Sequence, residues 1–154
     1  MIRLGVVIWM VMMGLALSWG CHRKAAPLSF PSDLNIDWGS GGGGTGLWQG
    51  YTLHPDGKIY QWLGRLPKKE EKFLAQLDST QQQVLWHYIQ DSLLMQQEVK
   101  LPGNFSRRLE ITALGKRNVL IWDESQSENQ KLNQFYRLCS DLLNRPNATQ
   151  GVQE

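Results

Sequence analysis

Three groups of residues in this chain have types and spacings that could do chemistry. Cys21 stands just after an apolar run, Leu4 to Trp19, that contains no charged residue, and its thiol is one of two in the chain. The stretch Gly39-Ser40-Gly41-Gly42-Gly43-Gly44-Thr45-Gly46 exposes consecutive backbone N–H groups, which can cradle an anion or meet a partner. Trp38 and Trp48 flank that stretch, with Tyr60 and Trp62 a little further on. Such aromatics serve either as core fillers or as an interface platform for protein, peptide or sugar. A phosphate loop needs Gly-Lys-Ser/Thr at its end and a helix after it, whereas Gly46 leads into a strand-like segment. Partner contact is therefore the expectation, through Trp38, Gly41, Gly42, Gly43, Gly44, Thr45, Gly46 and Trp48. Ordering so many glycines costs conformational entropy unless a contact is gained, although a plain bulge or hairpin between two strands is the competing account.

The titratable residues suggest less. His22, His54 and His87 have no metal-ligand spacing, and His87 with Asp91 makes only two ligands one helical turn apart. Asp123, Glu124 and Glu128 precede a helix, where acids favour its dipole. Nucleophile elbow, paired carboxylates and Cys/His arrangements do not stand out. The expectation is a non-enzyme with no catalytic residue, no metal and no cofactor. Cys139, amid Leu132, Phe135, Leu138, Leu142 and Leu143 at helical spacing, reads as a small buried hydrophobe. A Cys21–Cys139 disulfide is the alternative in an oxidising compartment, and it excludes acylation of the same sulfur.

The elements around Cys21 explain how its thiol would be presented. The chain has 154 residues, room for one domain, and opens with Arg3, an apolar stretch and a small-residue end at Gly20-Cys21. This is the layout of an export signal. An uncleaved membrane helix would need about 20 apolar residues before the charged Arg23-Lys24. Leu17, Gly20 and Cys21 together resemble the lipobox of bacterial lipoproteins. That resemblance implies that Cys21 is acylated with chains such as palmitate, becomes the first mature residue and holds the domain on a cell-envelope membrane. Each buried methylene contributes about 0.8 kcal/mol, so two or more chains anchor stably. Without Arg3, the 16 basic side chains fall to 15 against 14 acidic ones, and near neutrality argues against a nucleic-acid partner. The chain divides into a signal (1–20), a Pro-containing tether (21–33), a single domain (34–145) and a polar, frayed tail (146–154).

Within the domain, Leu34 to Trp38 is expected to form a short strand that the glycines interrupt. Leu47 to Leu53 and Lys58 to Leu63 should make a hairpin about His54-Pro55-Asp56-Gly57, where proline presets φ and glycine accepts positive φ. The spacing of Phe73, Leu74 and Leu77 predicts a helix over Lys68 to Asp78, opened by Pro67. A second helix, capped by Ser79 and Gln82, should run to about Gln97 with Val84, Leu85, Tyr88, Ile89 and Leu93 inward. Arg108 to Leu114 alternates as a strand with Leu109, Ile111 and Ala113 on one side. Gly115-Lys116-Arg117 turns the chain into Val119 to Trp122, whose apolar run suggests a central strand. Ser127 and Gln130 cap a last helix to about Asn144. The expected order β-β-β-α-α-β-β-α gives an α+β fold, an antiparallel sheet of about five strands with two or three helices on one face.

The run Ile36-Asp37-Trp38 through Gly42-Gly43-Gly44-Thr45-Gly46-Leu47, followed by hairpin, helix, two strands and helix, resembles the emfourin-type inhibitors of thermolysin-like proteases. Those proteins carry a Gly-Gly-Phe-X-Gly element after their first strand; Gly44 stands at the aromatic position here. The resemblance implies a protease-inhibiting role, with the glycine loop as the contact region.

Overall fold

A computed structural model describes residues 30–66, 68–123, 125–126 and 129–144. Cys21, the export signal, most of the tether, Pro67, Glu124, Ser127, Glu128 and the tail lie outside the described residues. The strands are β1 (Asn35–Gly42), β2 (Leu47–Leu53), β3 (Lys58–Arg65), β4 (Lys68–Gln76), β5 (Lys100–Leu101), β6 (Ser106–Ala113) and β7 (Lys116–Asp123). The helices are α1 (Ser79–Asp91) and α2 (Gln130–Leu143). They form an α+β fold whose seven-stranded sheet has the order β4-β3-β2-β1-β6-β7-β5, antiparallel except for the β5–β7 pair.

Strand alternation sets one face of this sheet against both helices. Ile36 and Trp38 of β1 pair with Ile111 and Leu109 of β6, and these with Leu53, Ile59, Leu120 and Trp122 make the sheet's half of the core. Leu85, Trp86 and Ile89 from α1 and Leu132, Phe135, Cys139 and Leu142 from α2 supply the other half. Burial pushes the Cys139 thiol well above its ordinary range, the behaviour of an inert core cysteine. Tyr88 ties the helices together, its ring tilted against Phe135 and its hydroxyl donating to the Lys131 carbonyl at 3.0 Å.

The fold corrects several expectations. Lys68 to Gln76 is a strand, not a helix. β3 would otherwise present an unpaired edge, and β4 satisfies it along its length while exposed Glu70 and Lys72 discourage further pairing. A period of two was also present, since Ala75 and Leu77 are both buried. The glycines do not end β1, which continues through Gly39, Ser40 and Gly41 to Gly42. The central strand is β1, between β2 and β6. β7 is second from the edge, with Leu120 and Trp122 turned to the core. The turn between β6 and β7 is Leu114-Gly115, Lys116 already belonging to the strand.

Helix boundaries also move. Asp78 caps α1 in place of Ser79, its carboxylate accepting from Gln81 N at 2.8 Å while Gln81 Oε1 accepts from Asp78 N at 2.9 Å. The capping box is the expected kind, shifted by one residue. The helix stops at Asp91 because Leu93 turns left-handed (φ 55°), and a 3-10 turn at Leu94–Gln96 buries Leu94. Val84 and Leu93, expected inward, are exposed, and Trp86 takes the inward place. Asn129 occupies the N-cap of α2 without a side-chain cap bond.

Both central residues of the β6–β7 turn have positive φ, 54° at Leu114 and 69° at Gly115. A two-residue hairpin turn of this hand favours Asn at the first position, and a branched side chain with positive φ is strained. Since Leu114 is 69% exposed, little apolar burial is lost on replacing it. Leu114→Asn is expected to raise folding stability by about 1 kcal/mol, read as a higher urea midpoint at unchanged slope.

Candidate functional site

The glycine segment splits into a structural half and an exposed half. Gly39 pairs with Gly50, and Gly50 with Trp62, so all three share the face of the sheet that points away from the helices. The Trp62 indole lies across this pair of glycines. A Cβ on Gly39 would come within 2.9 Å of its ring, and one on Gly50 within 2.7 Å. Gly41 likewise leaves room for Trp48, whose Cα would stand 2.6 Å from an added Cβ. The bare backbone is thus a floor for two tryptophans, and Trp62 is only 2% exposed without any helix on that side.

Beyond Gly42 (φ 102°) the chain turns in one 3-10 turn, Gly43–Thr45, closed by Gly46 N donating to Gly43 O at 3.3 Å. Thr45 Oγ1 accepts from Leu47 N at 3.3 Å, and Gly46 is left-handed with φ 62°. Gly43, Gly44, Thr45 and Gly46 are all exposed. Exposed Leu47, opposite Gly42, and half-exposed Trp48 continue the surface on β2. On the other side the loop before β6 approaches, with Asn104 O 3.2 Å from where a Gly43 Cβ would be, and Phe105 is 57% exposed. Ser106, opposite Gly41, braces that loop by accepting from Gly103 N at 3.0 Å.

Of the residues expected to contact a partner, the structure brings Gly42, Gly43, Gly44, Thr45, Gly46 and Trp48 to one end of the sheet. It removes two. Trp38 is a correction: its position in β1 points it into the helix side, where it is 1% exposed and its ring packs against Tyr51. Gly41 is buried within the sheet. Leu47 and Phe105 were not singled out from the sequence; Phe105 follows the Pro102-Gly103-Asn104 break, but only the β1–β6 register places it beside the glycines.

The face away from the helices also holds a polar row that the sequence did not reveal. Arg108 Nη1 donates to Asp37 Oδ1 at 3.2 Å and Nη2 to Glu110, which also accepts from Arg117. Thr52 Oγ1 lies 3.2 Å from Asp37 Oδ2 and 3.3 Å from Glu71 Oε1, so its hydroxyl can donate to either carboxylate. His54 Nε2 reaches Glu71 at 3.5 Å. The residues concerned alternate along neighbouring strands, Asp37 opposite Thr52 on one side and Glu110 on the other.

Burial raises the Glu110 carboxyl, but the Arg117 hydrogen bond and the charge of Arg108 outweigh it and hold the group below its ordinary 4.5. Asp33 is lowered by the backbone N–H groups of Gly115 and Leu114, and Asp123 by the backbone and side chain of Ser125. An acid whose folded value is depressed contributes stability above its unfolded value and loses it as pH falls through the folded one. The urea midpoint is therefore expected to hold from neutrality down to about the 4.5 of a free glutamate and to drop steadily below it. A midpoint that stays level in acid would contradict the role of this row.

Asp123 turns back on Ser125, and His87 and Asp91 are exposed on α1. Among the described residues, no three His, Cys, Asp or Glu side chains converge as a metal site, and no helix is long and apolar enough to cross a membrane. Neither a protein-family model nor a curated protein sequence matches the chain.

Proposed function

We propose that this chain is a lipid-anchored protein of a bacterial cell envelope, carrying a non-enzymatic domain that binds a protein or polymer through its glycine-turn end. The signal-like opening and Cys21 support the anchor. The arrangement of β1 carries the rest. Its first residue, Asn35, follows the tether, whereas its last, Gly42, opens the exposed glycine turn. Eight residues at about 3.3 Å each separate the two ends by roughly 25 Å. A domain tied down at the Asn35 end would hold Gly43 to Gly46, Leu47, Trp48 and Phe105 away from the membrane. Exposed aromatics beside a braced turn are the anchors that interfaces favour.

The test is capture from envelope extracts by the immobilised protein, comparing the parent with Trp48→Ala/Phe105→Ala. Removing two aromatic anchors is expected to weaken retention of the bound species by roughly 30-fold. Retention unchanged by both substitutions and by a shortened glycine turn would sink the binding surface.

The second reading is inhibition of a thermolysin-like protease through the same turn. The observation favouring it is the hydrogen-bonded frame of an exposed glycine turn directly after the first strand, where the emfourin-type element stands. Incubation with such enzymes separates the readings, because only an inhibitor would reduce their activity.

A further inference from the structure

We infer that the end of the domain formed by the β6–β7 turn and the C-terminus of α1 rests on the bilayer surface, with Leu93 and Leu114 entering the headgroup boundary. This deepens the lipid-anchor reading and rests on it. The two residues with positive φ that are not glycine, among those described, are both leucines, both are exposed (53% and 69%), and both line one groove of about 390 Å³. Trp86, Ile89, Met95 and Ala113 form its apolar wall, and Lys116 stands at its rim. An apolar occupant would relieve the exposure of both leucines, while their positive φ shows that the backbone presents them outward at the cost of strain.

The tether identifies that occupant. Asp33, its last residue, accepts from Leu114 N at 2.9 Å and Gly115 N at 2.7 Å, pinning the tether to the turn that carries Leu114. The 12 residues from Cys21 to Asp33 reach about 40 Å at most when extended, so this end stays within that distance of any membrane that holds Cys21 and is the end able to approach it with the least chain extension. Arg23 and Lys24 on the tether and Lys116 at the groove add attraction to anionic headgroups. Two leucines and a methionine cannot supply the roughly 800 Å² per partner of a stable protein interface. They can enter a bilayer boundary, where the anchor already holds the domain at high local concentration.

The test uses the full chain, processed in a bacterial host and reconstituted into phosphatidylcholine–phosphatidylglycerol vesicles. An environment-sensitive dye is placed on Leu114→Cys and, separately, on Phe105→Cys, since the buried Cys139 thiol escapes labelling. The expected result is blue-shifted emission, quenched by brominated lipid, at position 114 only. With Cys21 shown acylated by mass on the same sample, a dye in water at 114, or one in lipid at both positions, overturns the docking and leaves the anchor standing. An unacylated Cys21 with the dye in water removes both readings. Leu93→Gly/Leu114→Asn keeps the backbone conformations and is expected to abolish the vesicle-dependent amide-exchange protection of residues 113–117; protection equal to the parent's would also overturn the docking.

Discussion

Gly50→Ala is expected to lower folding stability by about 3 kcal/mol, at the upper end of what overpacking costs, measured by urea denaturation. The new methyl would meet the Trp38 carbonyl oxygen, the Gly39 Cα at 2.6 Å and the Trp62 ring at 2.7 Å. Two of these are backbone of the central strand and cannot step aside without opening the β1–β2 ladder. The third is a side chain that can. In a Trp62→Ala background the same substitution should therefore cost less, by a coupling of about 1 kcal/mol, while the backbone part persists. Full additivity would show that Trp62 does not lie across the glycines. Gly44→Ala, at a position with nothing within 4 Å, provides the contrast and should leave stability nearly unchanged.

Arg108→Met should cost about 3–5 kcal/mol, the range for breaking a buried ion pair from one side. The side chains of Arg108, Asp37 and Glu110 are only 11%, 10% and 19% exposed, so water cannot replace the lost guanidinium well. The sign of its pH dependence follows from what Arg108 does: it favours the charged carboxylates. As acid protonates Glu110, whose carboxyl Arg108 helps to hold below its ordinary value, the gap between parent and variant should shrink. A gap that is constant across the titration would mean the loss is packing of the arginine stem and not charge.

How much of this was legible in the sequence depends on the range of the contacts. The His54-Pro55-Asp56-Gly57 turn closes as expected, with Gly57 N donating to His54 O at 2.9 Å and Gly57 at φ 84°, because its determinants lie within four residues. The alternation of Leu109, Ile111 and Ala113 and the stripe of Leu132, Phe135, Cys139 and Leu142 were equally readable, since each faces one core. Over Lys68 to Asp78 the spacing of Phe73, Leu74 and Leu77 also suits a helix, while the edge of β3 that Lys68 to Gln76 completes is invisible without the pairing. The glycines of β1 looked like an interruption for the same reason. Their purpose is to admit Trp62 and Trp48 from another strand, a cross-strand fact that spacing along the chain does not encode. Trp38 was placed at the candidate site by nearness in sequence to the glycines, yet the alternation of β1 sends it to the opposite face from Trp62.

Anchoring of the domain depends on Cys21, and the mass of the mature N-terminal peptide from membrane fractions tests that dependence. The expected peptide begins at Cys21, and its mass exceeds that of the bare peptide by attached fatty chains. A chain that still begins at Met1, or a mature Cys21 carrying no lipid, would contradict that anchoring.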